Sequence, residues 1–247
     1  MIPKKIHYCW FGRNPLPESA QKCIASWRKY LPDYEIIEWN EDNFDVNSIP
    51  YTTQAYEAKK YAFVSDYARF KILYEHGGLY FDTDVEVIKP MDDIIAAGSF
   101  MGFEINPGGK RPFGAIAAGL GMGADRELPL YKKILDYYKT LNFIQPDGSY
   151  NYTDAVVNIT TREFIKAGLE DKPGIQRIEN ITIYPDDYFN PFDDITGKLR
   201  KTHNTHTIHW FSKTWLNENP WRTRISRLFH RLFGVNTVSR LRKLIGK

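Results

Sequence analysis

The sequence predicts an α/β protein whose sheet is mixed but mostly parallel. Two observations indicate this class, and a third shows that the chain can form a core. Strand-like and helix-like patterns alternate between residues 4 and 90, as in proteins built from strand–helix–strand units. Two glycines, Gly77 and Gly78, separate a helix pattern from a strand pattern, which is typical of a helix C-terminus. Finally, 43% of the 247 residues are hydrophobic, which is enough for one substantial core.

The first elements follow this alternation. The stretch KKIHYCWFG, residues 4–12, predicts a first strand, because every second residue from Ile6 is apolar. A helix is expected within residues 14–34, with a proline near its start. Residues 34–42 (YEIIEWNED) predict a second strand, and a further helix is expected around residues 54–61.

The next helix is predicted to begin with Ser65 as its N-cap and to end at the two glycines. The strand LYFDTDVEVI follows at residues 79–88. Later strands are expected within residues 98–105, 177–185 and 205–211, and later helices within 127–141 and 161–169. Since the composition changes near Pro220, we expect one domain over residues 1–219 and a tail over 220–247.

Asp82 and Asp84 are separated by one residue within a strand pattern. In a regular strand both side chains project from the same face, and the end of a parallel strand opens onto the ligand-binding crevice of α/β proteins. Two carboxylates there suit Mg²⁺ or Mn²⁺ with a bound phosphate, and the cation offsets the cost of burying them. The alternative is a solvated turn, since D-x-D alone is a short motif.

A second enzyme chemistry also uses D-x-D at the end of a strand. Phosphatases of the haloacid dehalogenase type place a nucleophilic aspartate there, on the first strand of the domain. In this chain several elements precede Asp82, so the phosphatase is the less favoured alternative.

Residues 65–84 form one longer pattern, S-D-x-x-R-x-x-x-L-x-x-x-G-G-x-Y-x-D-x-D. Its fixed positions are Ser65, Asp66, Arg69, Leu73, Gly77, Gly78, Tyr80, Asp82 and Asp84. The pattern closely resembles the DxD sugar-binding region of glycosyltransferase family 32, which includes bacterial capsular and lipopolysaccharide sugar transferases. The opening IPKKIHYCWFG and the later IHWFSKTW resemble the first strand and the closing segment of that family, so the resemblance covers about residues 1–217.

The resemblance implies a GT-A fold, a Rossmann-like nucleotide-sugar-binding domain. It also implies a metal-dependent hexosyltransferase that retains the anomeric configuration and uses Mn²⁺ or Mg²⁺. The expected donor is a nucleotide sugar, with a UDP-sugar favoured. The expected acceptor is a glycan or a lipid-linked saccharide, in the synthesis of a surface polysaccharide such as a capsule.

The resemblance also implies roles for the residues of the pattern. Asp82 would contact the donor and bind metal partly through water, and Asp84 would be the more direct metal ligand. Asp66 and Arg69, three positions apart on one helix face, would hold hydroxyls of the donor sugar. Their alternative roles are a charge at the helix N-terminus and a salt bridge within the helix. Tyr80 is expected to pack on the ribose.

Four residues outside the pattern receive roles from the resemblance. Trp10 would lie near the nucleobase, with core packing as the alternative. His209 would be the third metal ligand or a diphosphate contact, although two other histidines lie in the same segment. Lys213 and Trp215 would close over the phosphates.

The segment NYTDAVVNITTREF stands where the family usually has T-G-P. Asp154 and Asn158 are candidates to reach the donor sugar or the acceptor from it, and Asp154 is a candidate catalytic residue. The glycine-rich stretch FGAIAAGLGMGA, residues 113–124, lacks the Lys-Ser/Thr of a P-loop and is interpreted as a wall on the acceptor side. A retaining enzyme can use the leaving phosphate as base, so no separate carboxylate base is required.

The tail carries most of the basic character of the chain. After Glu218 it has eight basic and no acidic residues, so the rest is mildly acidic and no nucleic-acid partner is expected. Apolar residues recur at helical spacing among the arginines of residues 221–233, which predicts a basic amphipathic helix on an anionic membrane surface. Packing of this helix on the body, or a dimer contact, is the alternative.

The expected location is the cytoplasm, at the inner face of the cytoplasmic membrane. Cys9 and Cys23 have no metal-type or disulfide-type spacing, and no signal-peptide pattern opens the chain. A non-catalytic, membrane-associated sugar-binding module remains the alternative outside the enzymes.

Overall fold

The computed structural model describes residues 1–109, 111–212 and Arg227. The strands in this part of the chain are β1 (Lys5–Cys9), β2 (Glu35–Trp39), β3 (Gly78–Tyr80), β4 (Val85–Val87), β5 (Phe100–Ile105), β6 (Ala115–Ala117), β7 (Met122–Ala124), β8 (Gln176–Ile178), β9 (Ile181–Tyr184), β10 (Phe192–Asp193), β11 (Lys198–Leu199) and β12 (Thr207–His209). The helices are α1 (Glu18–Tyr30), α2 (Pro50–Glu57), α3 (Tyr61–His76), α4 (Asp92–Ala96), α5 (Pro129–Tyr138), α6 (Val156–Lys166) and α7 (Asp186–Phe189).

The central sheet is mixed, with the strand order β2-β1-β3-β7-β5-β9-β8 and with β6 paired to β5. β1 is parallel to β2 and β3, and β5 is parallel to β9. The other neighbours in this sheet are antiparallel. Two short antiparallel pairs, β4 with β12 and β10 with β11, lie outside it. The α/β class and the mixed sheet are confirmed, and the Rossmann-like GT-A architecture stays what the resemblance implies.

Helices cover both faces of the central sheet. Alternate residues of β3 point to opposite faces, so Leu79 and Tyr80 belong to different apolar clusters. Helices α2, α3, α5 and α6 pack on the Tyr80 face. Helices α1, α4 and α7 pack on the Leu79 face, where Trp27 of α1 is fully buried and donates a hydrogen bond to the Val85 carbonyl at 2.7 Å.

Helix α3 begins at Tyr61 rather than at Ser65. The Ser65 hydroxyl donates to the Tyr61 carbonyl at 3.2 Å, so the prediction of Ser65 as N-cap is wrong. Phe63, which lies in the additional first turn, is buried. The C-terminal prediction is confirmed, since Gly77 and Gly78 have φ angles of +62° and +104°, which L side chains rarely adopt.

The buried side chain of His7 fixes the turn after α3. Trp39 donates its indole N–H to Nδ1 of His7 at 3.0 Å, so Nε2 carries the proton and donates to the Gly77 carbonyl at 3.0 Å. Burial lowers the pKa of His7 to about 4. The neutral ring therefore joins β2, β1 and the end of α3.

Within the described residues, no helix has the length and the apolar character needed to cross a membrane. Except for Arg227, the predicted tail lies outside the described residues.

Candidate active site

The DXD segment lies at the edge of the sheet where β1 and β3 end. Trp10 directly follows β1, and Asp82 follows β3 by two residues. Because α3 leads into β3 through a tight turn, the N-terminal end of α3 returns to this same edge. Ligands of α/β proteins bind at the carboxyl ends of parallel strands, so this edge is the candidate active site.

The chain turns between Asp82 and Asp84. The N–H of Val85 donates to the Asp82 carbonyl at 3.0 Å, and β4 then pairs with β12 instead of continuing in the central sheet. The prediction that both aspartates project from one face of a regular strand is therefore wrong. The turn directs the two carboxylates to different partners.

Asp82 belongs to a buried cluster around Arg69. The guanidinium of Arg69 donates to Oδ2 of Asp82 and to Oδ1 of Asp66, both at 3.0 Å. Its Nε donates to the Ser65 carbonyl at 3.0 Å. The Tyr80 hydroxyl donates to Oδ1 of Asp82 at 3.1 Å. The guanidinium of Arg69 thus joins Asp66 on α3 to Asp82 after β3.

Burial strongly affects the charges in this cluster. Desolvation raises the pKa of Asp66 to about 7, because the nearby Arg69 offsets it only in part. Desolvation opposes the charge of Arg69, but Asp82 and Asp66 among its neighbours outweigh it and raise the pKa of the guanidinium. Such a network costs much when one partner is removed, because a buried charge is left uncompensated.

The loop between β6 and β7 supports this cluster from behind. The Ala118 carbonyl accepts a short hydrogen bond from Arg69, and the Gly119 carbonyl accepts one from the Asp82 N–H at 3.0 Å. Gly119 has a φ angle of +137°, and a Cβ there would overlap Oδ2 of Asp82. The interpretation of this glycine-rich stretch as an acceptor-side wall stays a prediction, and nothing in the sequence identified these partners.

Asp84 is held by the segment that follows β12. The backbone N–H and the hydroxyl of Ser212 donate to Oδ2 of Asp84 at 2.8 and 3.0 Å. Nε2 of His209 lies 3.2 Å from Oδ1. The N–H of Trp210 donates to the Asp84 carbonyl at 3.0 Å. Of these partners only His209 was a candidate from the sequence, because serine gives no signal of its own.

These contacts favour an ionised Asp84. Burial alone would raise the pKa of its carboxyl, but His209 and Ser212 outweigh burial and lower it to about 2. Burial alone would lower the pKa of His209, but Asp84 raises it. Asp84 is thus a carboxylate, and His209 favours the cationic form beside it.

Trp10 is half-buried and packs at the rim of the core. Its indole N–H donates to the Asn14 carbonyl at 2.6 Å, which holds the ring over the loop after β1. This placement accommodates both the nucleobase role and the packing alternative, so the nucleobase contact stays a prediction.

Asp154 and Asn158 lie in a separate hydrogen-bond network. The carboxylate of Asp154 accepts from the Tyr137 hydroxyl at 2.9 Å and from the Asn151 side chain at 3.0 Å. Oδ1 of Asn158 accepts from Arg111 at 3.0 Å. Within residues 1–109 and 111–212, no hydrogen bond or ion pair joins either residue to Asp82 or Asp84, and their roles toward donor or acceptor stay predictions. Lys213 and Trp215 lie outside the described residues.

Glu104 on β5 is an ionisable residue that sequence reasoning missed. Burial raises the pKa of its carboxyl, while the charges of His209 and Arg111 lower it. The alternation along β5 could not distinguish this residue from an ordinary strand position.

The donors at the turn fit a hard divalent cation bound together with a diphosphate. Within residues 1–109 and 111–212, no group of three or more His, Cys, Asp or Glu side chains is arranged to hold a metal. Mg²⁺ and similar ions at phosphate sites commonly use one or two carboxylates, with water and phosphate oxygens as the other ligands. Asp82 and Asp84 can supply that number. His209 as a third ligand stays a prediction, since Nε2 faces Asp84 and Nδ1 is buried without a hydrogen-bond partner among the described residues.

Comparison with known proteins relates this α/β chain to glycosyltransferases. The family described as "Glycosyltransferase sugar-binding region containing DXD motif" matches residues 17–101. This match, which is limited to residues 17–101, confirms the resemblance of residues 65–84 to that sugar-binding region.

Several individual proteins are similar to the chain. An uncharacterized glycosyltransferase of Acanthamoeba polyphaga mimivirus is 26% identical over 199 residues, which cover 77% of this chain and 76% of the relative. Inositol phosphoceramide mannosyltransferase 1 of Schizosaccharomyces pombe is 30% identical over 116 residues, which cover 40% of this chain and 33% of the relative. The chain therefore spans only about a third of the yeast protein. The solved PaToxG glycosyltransferase is 19% identical with a TM-score of 0.49, over 67% of this chain and 69% of that one.

Proposed function

We propose that the protein is a metal-dependent, retaining glycosyltransferase that moves a hexose from a nucleotide sugar, with UDP favoured as the nucleotide, to a glycan or lipid-linked acceptor. The single observation that carries this proposal is the division of the DXD turn. Asp82 joins the Arg69–Asp66 cluster on one side, and Asp84 joins His209 and Ser212 on the other. A sugar and a diphosphate of one donor match these two halves.

On the sugar side, the carboxylates would be the groups that bind hydroxyls. Arg69 already donates to four acceptors, namely Ser65, Asp66, Asp82 and Ala118, so it orients the aspartates. The Asp66 carboxylate uses Oδ1 for Arg69. Its Oδ2 is then available to accept from a sugar hydroxyl.

On the diphosphate side, Asp84 would direct its carboxylate at the ion and His209 would add positive charge. A bound Mn²⁺ or Mg²⁺ would stabilise the negative charge on the leaving nucleoside diphosphate as a Lewis acid. Ser212 holds one oxygen of Asp84 through two hydrogen bonds, which fixes the direction of the carboxylate toward such a ligand.

The test is a panel of nucleotide sugars with and without Mn²⁺, in which thermal stabilisation and donor hydrolysis are measured. We expect at least one donor to stabilise the wild-type protein only with the metal. Asp84→Asn should remove this effect and retain the fold, whereas Asp33→Asn, at a carboxylate that is 75% exposed, should behave as wild type. Failure of every donor would contradict the proposal.

The same panel separates the alternatives. Release of phosphate without sugar transfer would indicate the D-x-D phosphatase. Binding of sugars that is independent of metal and insensitive to Asp84→Asn would indicate the non-catalytic module.

We infer that the acceptor is lipid-linked and that the basic tail holds the enzyme at an anionic membrane, as in the synthesis of a capsule or a similar polysaccharide. One arginine of the tail is engaged on the body, because Arg227 donates to the carbonyl and the carboxylate of Asp194 at 3.0 and 2.5 Å. This contact is of the kind expected if the tail packs on the body of the protein. The test is binding to phosphatidylglycerol vesicles by a chain that ends at Pro220. Binding equal to that of the full chain would contradict the membrane role.

A further inference from the structure

Four aromatic side chains form a continuous cluster beside the candidate active site. The cluster, called here the aromatic platform, consists of Phe63, Phe143, Tyr150 and Tyr152. The ring of Tyr150 stacks on Phe143 at 5.1 Å, and the ring of Tyr152 lies edge-on to Tyr150 at 6.0 Å and 5.6 Å from Phe63. Phe63 and Phe143 are buried, but Tyr152 is 54% exposed, a high value for an aromatic side chain that rests on a core.

Hydrogen bonds hold the loop of the platform in place. The N–H of Asn151 donates to the Phe143 carbonyl at 2.8 Å, between the two tyrosines. The N–H of Ile144 donates to the side chain of Gln54 on α2 at 2.9 Å. The ammonium group of Lys60 lies 5.5 Å above the ring of Tyr150. The exposed ring is thus presented on a preformed surface, which lowers the entropic cost of binding.

The platform is connected to the candidate active site through α3. Phe63 precedes Asp66 by three residues, so the two side chains share one face of α3. The N-terminal end of α3 is at the edge where β1 and β3 end, and the ring of Tyr61 packs against Gly12 in the loop after β1. Tyr152 contacts Phe63, and Phe63 lies on the same face of α3 as Asp66, so the platform adjoins the helix that carries the sugar-facing cluster.

We propose that Tyr152 stacks on a pyranose ring of the acceptor glycan. The proposal rests on the glycosyltransferase function proposed above and adds the class of ligand for its second substrate. A pyranose offers a face of C–H groups to an aromatic ring, and its rim of hydroxyls suits polar neighbours. The same loop carries the polar side chains of Asn142, Gln145 and Ser149, which hydrogen-bond to Gln54, to the Asn142 carbonyl and to Asp147. Among the described residues of this loop, the exposed ring of Tyr152 offers a surface of about one sugar unit, which is too small for a protein partner.

The position also separates this ring from the nucleobase. The nucleobase is expected at Trp10, in the loop after β1, whereas Tyr152 lies in the loop between α5 and α6. The donor sugar is proposed to bind the carboxylates of the Arg69 cluster, so a separate exposed ring fits a sugar of the acceptor.

The experiment is saturation-transfer NMR on the full chain with three probes: methyl α-mannopyranoside, methyl β-glucopyranoside and methyl β-galactopyranoside. UDP and GDP with Mn²⁺ are the nucleotide probes. Tyr152→Ala should lower the saturation of at least one glycoside about tenfold. Tyr152→Phe, which keeps the ring, should retain it. Ile175→Ala, at an apolar side chain that is also 54% exposed, is the matched control and should behave as wild type.

The glycoside and nucleotide measurements test the stacking role of Tyr152 and the proposed function separately. Glycoside saturation that is equal in wild type and in Tyr152→Ala, or absent from both, removes the platform and leaves the proposed function intact when the nucleotides still bind. Loss of nucleotide binding in Tyr152→Ala would overturn the platform in favour of a base-stacking role. Glycoside saturation that depends on Tyr152, in a chain that binds neither nucleotide, would support the platform and contradict the proposed function.

Discussion

The two aspartates of the DXD turn are held in contrasting ways. Asp82 is bound by Arg69, 13 positions away, and by Tyr80, two positions away. Asp84 is bound by Ser212, 128 positions away. The sugar-facing half of the site is therefore built by one helix, one strand and the loop behind them, whereas the other half forms only when β12 has paired with β4. The difference suggests that the first half contributes mainly to stability and the second mainly to cation affinity.

Arg69→Met should cause the largest loss of stability, because it removes the cation of the sugar-facing half of the site. It leaves Asp66 and Asp82 without their cation, and removal of one partner of a buried ion pair costs about 3–5 kcal/mol of unfolding free energy. The measurement is denaturant unfolding followed by circular dichroism. Arg13→Met removes an exposed pair with Asp42 and should leave the midpoint unchanged.

A double variant tests the cause of that loss. Because Asp66→Asn removes a buried carboxyl whose pKa desolvation already raises to about 7 beside Arg69, Arg69→Met with Asp66→Asn should be more stable than Arg69→Met alone. Additive destabilisation by the two substitutions would contradict the shared-cation explanation.

The same contrast explains how much the sequence could predict. Asp66, Arg69 and Asp82 fall within one short pattern, so their meeting follows from helix spacing and one turn. The break in the strand after Tyr80 was missed, because alternation is equally consistent with one strand or with two strands joined by a turn. Ser212 and Gly119 were missed as partners because their contacts depend on long-range pairing, of β12 with β4 and of β7 with β3.

Acid should weaken the turn that joins α3 to β3. The folded pKa of His7 is about 4, lowered from 6.5 by burial, while the smaller effects of His76 and Lys5 act in the same direction. Between pH 6.5 and 4 the unfolded chain binds the proton and the folded chain does not. His7 should therefore contribute a loss of about 3 kcal/mol as the pH falls through this range.

His7→Gln isolates this effect, since glutamine keeps a donor for the Gly77 carbonyl and does not titrate. We expect its unfolding free energy to depend less on pH between 6.5 and 4 than that of the wild type. Denaturant midpoints at several pH values provide the measurement. Parallel pH profiles for the two proteins would show that the neutral ring is not responsible.

Gly119→Ala would test the loop that supports Asp82. Its Cβ would overlap the carboxylate of Asp82 and the guanidinium of Arg69, whereas Gly174 also has a positive φ but has nothing within 4 Å of the added carbon. Both substitutions carry backbone strain. The steric overlap should make Gly119→Ala more destabilising by about 2 kcal/mol, measured by thermal unfolding. Equal losses at the two glycines would mean that the loop can move away from Asp82.

Ser212→Ala should have the smallest effect on stability and a selective effect on the cation. The variant loses the hydroxyl bond to Asp84 and keeps the backbone N–H bond, so its unfolding free energy should change by less than about 1.5 kcal/mol. Loss of an orienting hydrogen bond to a metal ligand lowers metal affinity by roughly tenfold or more. Calorimetric titration of Mn²⁺ with UDP present measures this affinity. Ser149→Ala, which removes a similar bond to the exposed Asp147, is the control. Equal Mn²⁺ affinities in both variants would mean that the hydroxyl of Ser212 does not orient Asp84 toward a cation. The backbone N–H of Ser212 would then be the group of this residue that holds the Asp84 carboxylate.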